Sequence, residues 1–133
     1  MNLKATIPGE PVAYARSRHR GSQHYKPQKH RDWEAKARSI MAPLAPPEPW
    51  ADDLVCWVTL VYARRQADRG AGRLRRDRAR QDVDNVAKLA LDAAVKAGWL
   101  VDDRHIGSLY VERWSGCEGE GPSVTIELGK RCG

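Results

Sequence analysis

Hydrophobic and polar positions divide the chain into six predicted elements. Residues 2–7 alternate modestly and stop at Pro8-Gly9, with Pro11 close behind, which predicts a short strand running into a turn. Trp33, Ala37, Ile40 and Met41 recur at near-helical spacing and predict a helix over 32–41, ended by prolines at 43, 46, 47 and 49. The run LVCWVTLVY at 54–62 is almost continuously apolar and rich in β-branched and aromatic residues, as expected of a central strand covered on both faces. Val83, Val86, Ala87, Ala90, Leu91 and Ala94 fit an amphipathic helix over 82–97, and Gly98 stands where a C-cap glycine belongs. Two closing strands at 109–114 and 123–128, joined by a glycine-rich turn, predict an antiparallel hairpin. The order β-α-β-α-β-β predicts an α+β fold, a mixed sheet with helices packed on one face. There are no internal repeats.

Length adds one constraint: 133 residues suit a single domain spanning 1–133, because two separate cores would each be marginal. No stretch approaches the roughly 20 apolar residues of a membrane span, and the N-terminus lacks the apolar core of a secretory signal, so a cytoplasmic protein is expected. Cys56, Cys117 and Cys132 are odd in number and widely separated, which argues for reduced, incidental thiols rather than a zinc site. His19, His24 and His30 have no metal-ligand spacing to other donors and read as solvated or phosphate-facing.

Charge changes the picture more. The formal net charge is +6, and two segments carry it. The loop 11–31 holds Arg16, Arg18, Arg20, Lys26, Lys29 and Arg31 with no acid, interleaved with Tyr14 and Tyr25. The segment 64–80 holds eight arginines, among them Arg73, Arg75, Arg76, Arg78 and Arg80, against Asp68 and Asp77. Such density suits phosphate contact, with the tyrosines able to stack on unpaired bases, although a solubilising surface is the plainer alternative.

Immediately after the arginines, QDVDN places Asp82 and Asp84 at the mouth of the second helix, where an entering backbone lets both carboxylates share one space. About 15 helical residues climb roughly 22 Å. The five residues after Gly98, if extended, return about 17 Å, so the pair Asp102-Asp103 ends near the first turns of the helix. Extended neighbours point oppositely, so only one of the two should join the cluster; length alone leaves open which. Each acid also has a plainer reading: an N-cap, a turn, or the ion-pair ladder Asp84, Lys88, Asp92, Lys96. Taken together, however, carboxylates beside phosphate-seeking arginines would repel DNA unless a cation lay between, and Mg²⁺ takes hard oxygen ligands and bridges to phosphate. Lys88, one turn into the helix, suits orienting a water or offsetting transition-state charge. His105, two residues past Asp103, reads as an exposed turn residue.

The stretch RQDVDNVAKLALDAAVKAGWLVDDRHI, 80–106, closely resembles the core of the RusA family of Holliday junction resolvases: an acid, a spacer, Asp-Asn, a lysine three residues on, a helical Asp, then Gly and paired Asp-Asp. The opening IPGEPVAYARSR resembles the family's strand, proline turn and basic loop more loosely, and 64–80 is longer than the family pattern. The resemblance implies that Asp82, Asp84 and Asp103 are the essential, metal-holding carboxylates and Lys88 the catalytic lysine. Asn85, Asp92 and Asp102 occupy motif positions of less defined role. It further implies homodimers that cut four-way DNA junctions by paired symmetric nicks with Mg²⁺ or Mn²⁺, in recombination and repair. Two readings remain beside it: a broader nuclease on flaps or forks, and a junction-binding module that does not cut.

Overall fold

The computed structural model describes residues 2–13, 18–20, 23–25, 27–63, 74–75, 83–116 and 121–131. The chain opens with β1 (Leu3–Pro8), followed by a small hairpin of β2 (Arg18–Arg20) and β3 (Gln23–Tyr25). Then come α1 (Gln28–Met41), β4 (Leu54–Tyr62), the two-residue strand β5 (Leu74–Arg75), α2 (Val83–Lys96), β6 (Ile106–Ser115) and β7 (Ser123–Lys130). The six principal elements β1, α1, β4, α2, β6 and β7 follow the expected order. The main sheet is mixed and runs β1-β7-β4-β6-β5, with β4 at its centre as the apolar run predicts. No helix among the described residues is long and apolar enough to cross a membrane.

The expected hairpin between the last two strands does not form. β4 lies between them, paired parallel to β6 and antiparallel to β7. The reason is the crossover: β4, α2 and β6 make a βαβ unit, and a helix that returns over the sheet delivers the next strand parallel to the first. β7 then takes the other edge of β4 and offers its own far edge to β1. Gly116, just past β6, donates its N–H to the Tyr62 carbonyl at 3.0 Å, tying the connection across the end of β4.

A second correction concerns coverage. Leu54, Cys56, Val58, Leu60 and Tyr62 point to the helices and are buried, with Ile126, Leu128, Val124, Ala5 and Ile7 beside them. On the opposite face Val55 and Thr59 are half-buried and Trp57 is exposed, so only the helical side of β4 is fully covered. The Cys56 thiol lies in the core, and burial pushes its pKa up to about 12, which makes it unreactive.

α1 begins a turn earlier than its apolar residues suggest, so 28–31, including Lys29, are helical rather than part of the basic loop. The hidden member of its stripe is His30, which is buried with Trp33, Ala37 and Met41 rather than solvated. Its Nε2 lies 3.6 Å from Glu34, which in turn accepts from Lys96 of α2 at 2.8 Å, so a polar contact joins the two helices.

α2 ends in a Schellman cap. Gly98 takes a φ of 86°, its N–H reaching Val95 and that of Trp99 reaching Ala94. Trp99 is fully buried and its indole N–H donates to the Met41 carbonyl at 2.8 Å, satisfying an acceptor that the end of α1 leaves open. Trp50 and Leu100 form a parallel bridge beside it. These contacts anchor the return segment that leads to Asp102. Trp99→Phe keeps most of the volume and strands that carbonyl; we expect a loss of about 1–3 kcal/mol, read by denaturant unfolding.

Candidate active site

Asp84, Lys88 and Asp92 lie at four-residue intervals on α2 and so share one stripe. The N-terminal position of Asp84 is also favoured by the helix dipole. Asp84 and Lys88 are exposed, while Asp92 is half-buried. Behind the stripe, Val86, Ala87, Leu89, Ala90, Ala93 and Ala94 bury the opposite side of the helix. The stripe therefore cannot rotate away without exposing the core.

The return segment does not stay extended. Asp102 is extended, with φ −161° and ψ 149°, and caps a short 3-10 turn over Asp103–His105 by accepting the Arg104 N–H at 3.1 Å. The chain turns there, and each of the two carboxyls shifts the ionisation of the other. Their surroundings separate their roles. The Arg104 backbone N–H, followed by the bond with Asp103, holds the Asp102 pKa below the usual carboxylate range. Asp103 is raised, first by its hydrogen bond with Asp102, then by desolvation and the charges of Asp102 and Asp92, with Lys88 opposing. Asp103 is thus the member whose ionisation responds to Asp92 and Lys88 of the α2 stripe. Asp102 holds the turn. His105 is half-buried at its end and donates its backbone N–H to the Asp102 carbonyl at 3.2 Å.

Asn85 is exposed in the first turn of α2. Asp82 lies outside the described residues, as do Arg16, Lys26, Arg73, Arg76, Arg78 and Arg80. Arg18 and Arg20 belong to β2, Arg75 to β5, and Lys29 is exposed on α1. Among the described residues no three His, Cys, Asp or Glu side chains form a group that could hold a metal ion. The donor chemistry nonetheless suits a hard cation: oxygen ligands only, and a carboxyl whose ionisation is opposed by two neighbouring acids. Sequence reasoning missed the cap made by Asp102. Its signal was the Asp followed two residues later by a backbone N–H at a turn.

The family model for endodeoxyribonuclease RusA matches residues 8–128, about nine-tenths of the chain. The chain belongs to the RusA endodeoxyribonuclease family. As a member of that family it is a nuclease, a hydrolase of DNA phosphodiesters, and the RusA match spans both the basic N-terminal region and the Asp-rich core. A search among curated proteins found no match.

The raised pKa of Asp103 has a stability consequence. Its contribution is fully present below the unfolded carboxylate pKa and is lost as pH rises through the raised folded value. At neutral pH the ionised cluster is therefore a source of repulsion. We expect Asp103→Asn to raise the melting temperature of the metal-free protein at pH 7 and leave it nearly unchanged near pH 3, measured by calorimetry. A lower melting temperature at pH 7 would contradict this arrangement.

Proposed function

We propose that this RusA-family nuclease resolves four-way DNA junctions, with Asp82, Asp84 and Asp103 holding Mg²⁺ or Mn²⁺ and Lys88 serving the chemistry. What supports this reading most is the setting of Asp103: 15 residues beyond Lys88 in sequence, its carboxyl has its ionisation opposed by Asp102 and Asp92 and favoured by Lys88. A divalent ion held by these carboxylates would supply activation of a water and neutralisation of charge on the leaving oxygen. The chain's own groups do the rest. On this reading Asp84 holds the ion from the first turn of α2 and Asp103 from the turn after it, with Asp82, which precedes the helix in sequence, as the third carboxylate. Lys88 orients the incoming water or offsets charge on the phosphoryl oxygens in the transition state. A P–O bond forms to the water oxygen as the bond to the leaving deoxyribose oxygen breaks, and the water's proton ends on that oxygen. Asp102 is a positioning residue, since its cap aims Asp103.

The arginines at 64–80 and the basic residues at 11–31 supply the phosphate contacts, bringing DNA to a cluster that would otherwise repel it. Two copies acting together match a two-fold junction, since paired symmetric nicks need two sites in register. We place this activity in cytoplasmic recombination and repair.

The test is cleavage of a synthetic four-way junction, compared with duplex, flap and fork DNA, in Mg²⁺ or EDTA. We expect nicking of the junction in Mg²⁺ alone. Asp82→Asn or Asp84→Asn should cut the rate by roughly 10²-fold or more while junction binding survives. Unimpaired nicking by both variants would sink the metal assignment, and preference for flaps or forks would replace the substrate.

Binding offers a separate check. Replacing several arginines between Arg64 and Arg80 should weaken junction binding and flatten its salt dependence, by about 0.9 in log–log slope for each phosphate no longer neutralised. An unchanged slope would return the segment to a solubilising role.

A further inference from the structure

The face of the sheet turned away from the helices carries chemistry that cleavage does not use. Trp57 and Tyr110 stand in register on β4 and β6, their rings stacked with centroids 6.4 Å apart and planes 17° from parallel. They are 39% and 57% exposed, high values for large aromatic side chains on the central strands of a sheet. Trp57 lies over β7 at Gly129, where an added Cβ would sit 3.4 Å from the indole and 2.9 Å from Asn2 Oδ1. The missing side chain lets the ring lie down on the sheet.

An open cleft of about 420 Å³ borders this pair, and Glu112 and Glu127 line it with Asn2 and Thr59. Glu112 follows Tyr110 by two residues on β6, and Glu127 is paired with Trp57 across β4–β7, so the carboxylates stand at opposite corners of the aromatic pair. Each accepts a hydrogen bond that leaves acceptor capacity: Trp114 Nε1 donates to Glu112 at 3.2 Å and the Asn2 amide to Glu127 at 2.8 Å. Lys4 is the register neighbour of Glu127 on β1, three strands from Glu112.

We propose that this cleft binds an arginine side chain presented by a protein partner. Aromatic faces attract a guanidinium, and carboxylates accept from its planar fork. The fold already contains a related contact, Lys130 Nζ 4.9 Å from the centre of the Trp50 ring. Charge decides against nucleic acid as the occupant: two carboxylates flank the aromatics, and they repel the phosphates that the basic segments attract. Their distance argues against a divalent ion. The two strands that carry them lie on either side of β4, about 10 Å apart, so both reach one extended planar cation more readily than one small metal. This site stands apart from the Asp103 cluster and does not rest on the proposed junction cleavage.

The experiment is an NMR titration of the full chain with a short arginine-bearing peptide, following the Trp57 indole N–H resonance assigned through Trp57→Phe. We expect a saturable shift, weakened at least tenfold in the Glu112→Gln/Glu127→Gln double variant, with nuclease activity unchanged. The same peptide with glutamate in place of arginine should leave the resonance still, and that control needs no altered protein. Three results would overturn the proposal: equal binding by the double variant, a shift of the resonance by single-stranded oligonucleotide instead, or self-association in sedimentation that Trp57→Ala abolishes.

Discussion

Close approach of α2 to the sheet and to α1 is the constraint on which the rest of this structure depends. It is made possible by small side chains at Ala87, Ala90, Ala93 and Ala94, with Val86 and Leu89 filling the space between them. A helix seated this tightly has one orientation, because rotation would lift apolar surface into water at about 25 cal/mol for each Å² exposed. The polar stripe of Asp84, Lys88 and Asp92 is thereby aimed by the packing behind it. The Schellman cap at Gly98 then reverses the chain, and Trp99, locked by its bond to Met41, sends it back along the helix toward Asp102.

Electrostatics at the end of that path work against the fold. The charges of Asp102 and Asp92 oppose ionisation of Asp103, and Lys88 offsets them. Folding energy from a core distant from the carboxylates holds them together, a common relation between a scaffold and its functional site. The rest of the molecule has the opposite sign, with a net charge of +6 concentrated in two segments on either side of β4 in sequence. Basic segments and a cluster of acids in one chain are compatible when a cation mediates between carboxylate and phosphate.

The sheet divides the molecule by function. Its helical face is closed by the core, whereas its other face bears Trp57, Tyr110, Glu112 and Glu127 beside an open cleft. An aromatic pair bracketed by carboxylates attracts cations rather than phosphates, so this cleft need not compete with a nuclease site for one ligand.

Local periodicity by itself determined the principal elements, because the spacing of apolar residues follows from helix and strand geometry whatever their neighbours: the nine residues of β4, α2 to within a residue at either end, and the cap at Gly98. The Asp-rich motif was equally legible, since its spacing lies within one continuous stretch. Strand pairing was not. Whether 123–128 would fold onto 109–114 or insert on the far side of β4 depends on the crossover made by α2, which no local pattern encodes. The start of α1 was hidden because a buried histidine occupies an apolar position in its stripe. Spacing alone left Asp102 and Asp103 equivalent, and the family pattern chose Asp103. Only the turn at Asp103–His105 shows that Asp102 caps the backbone.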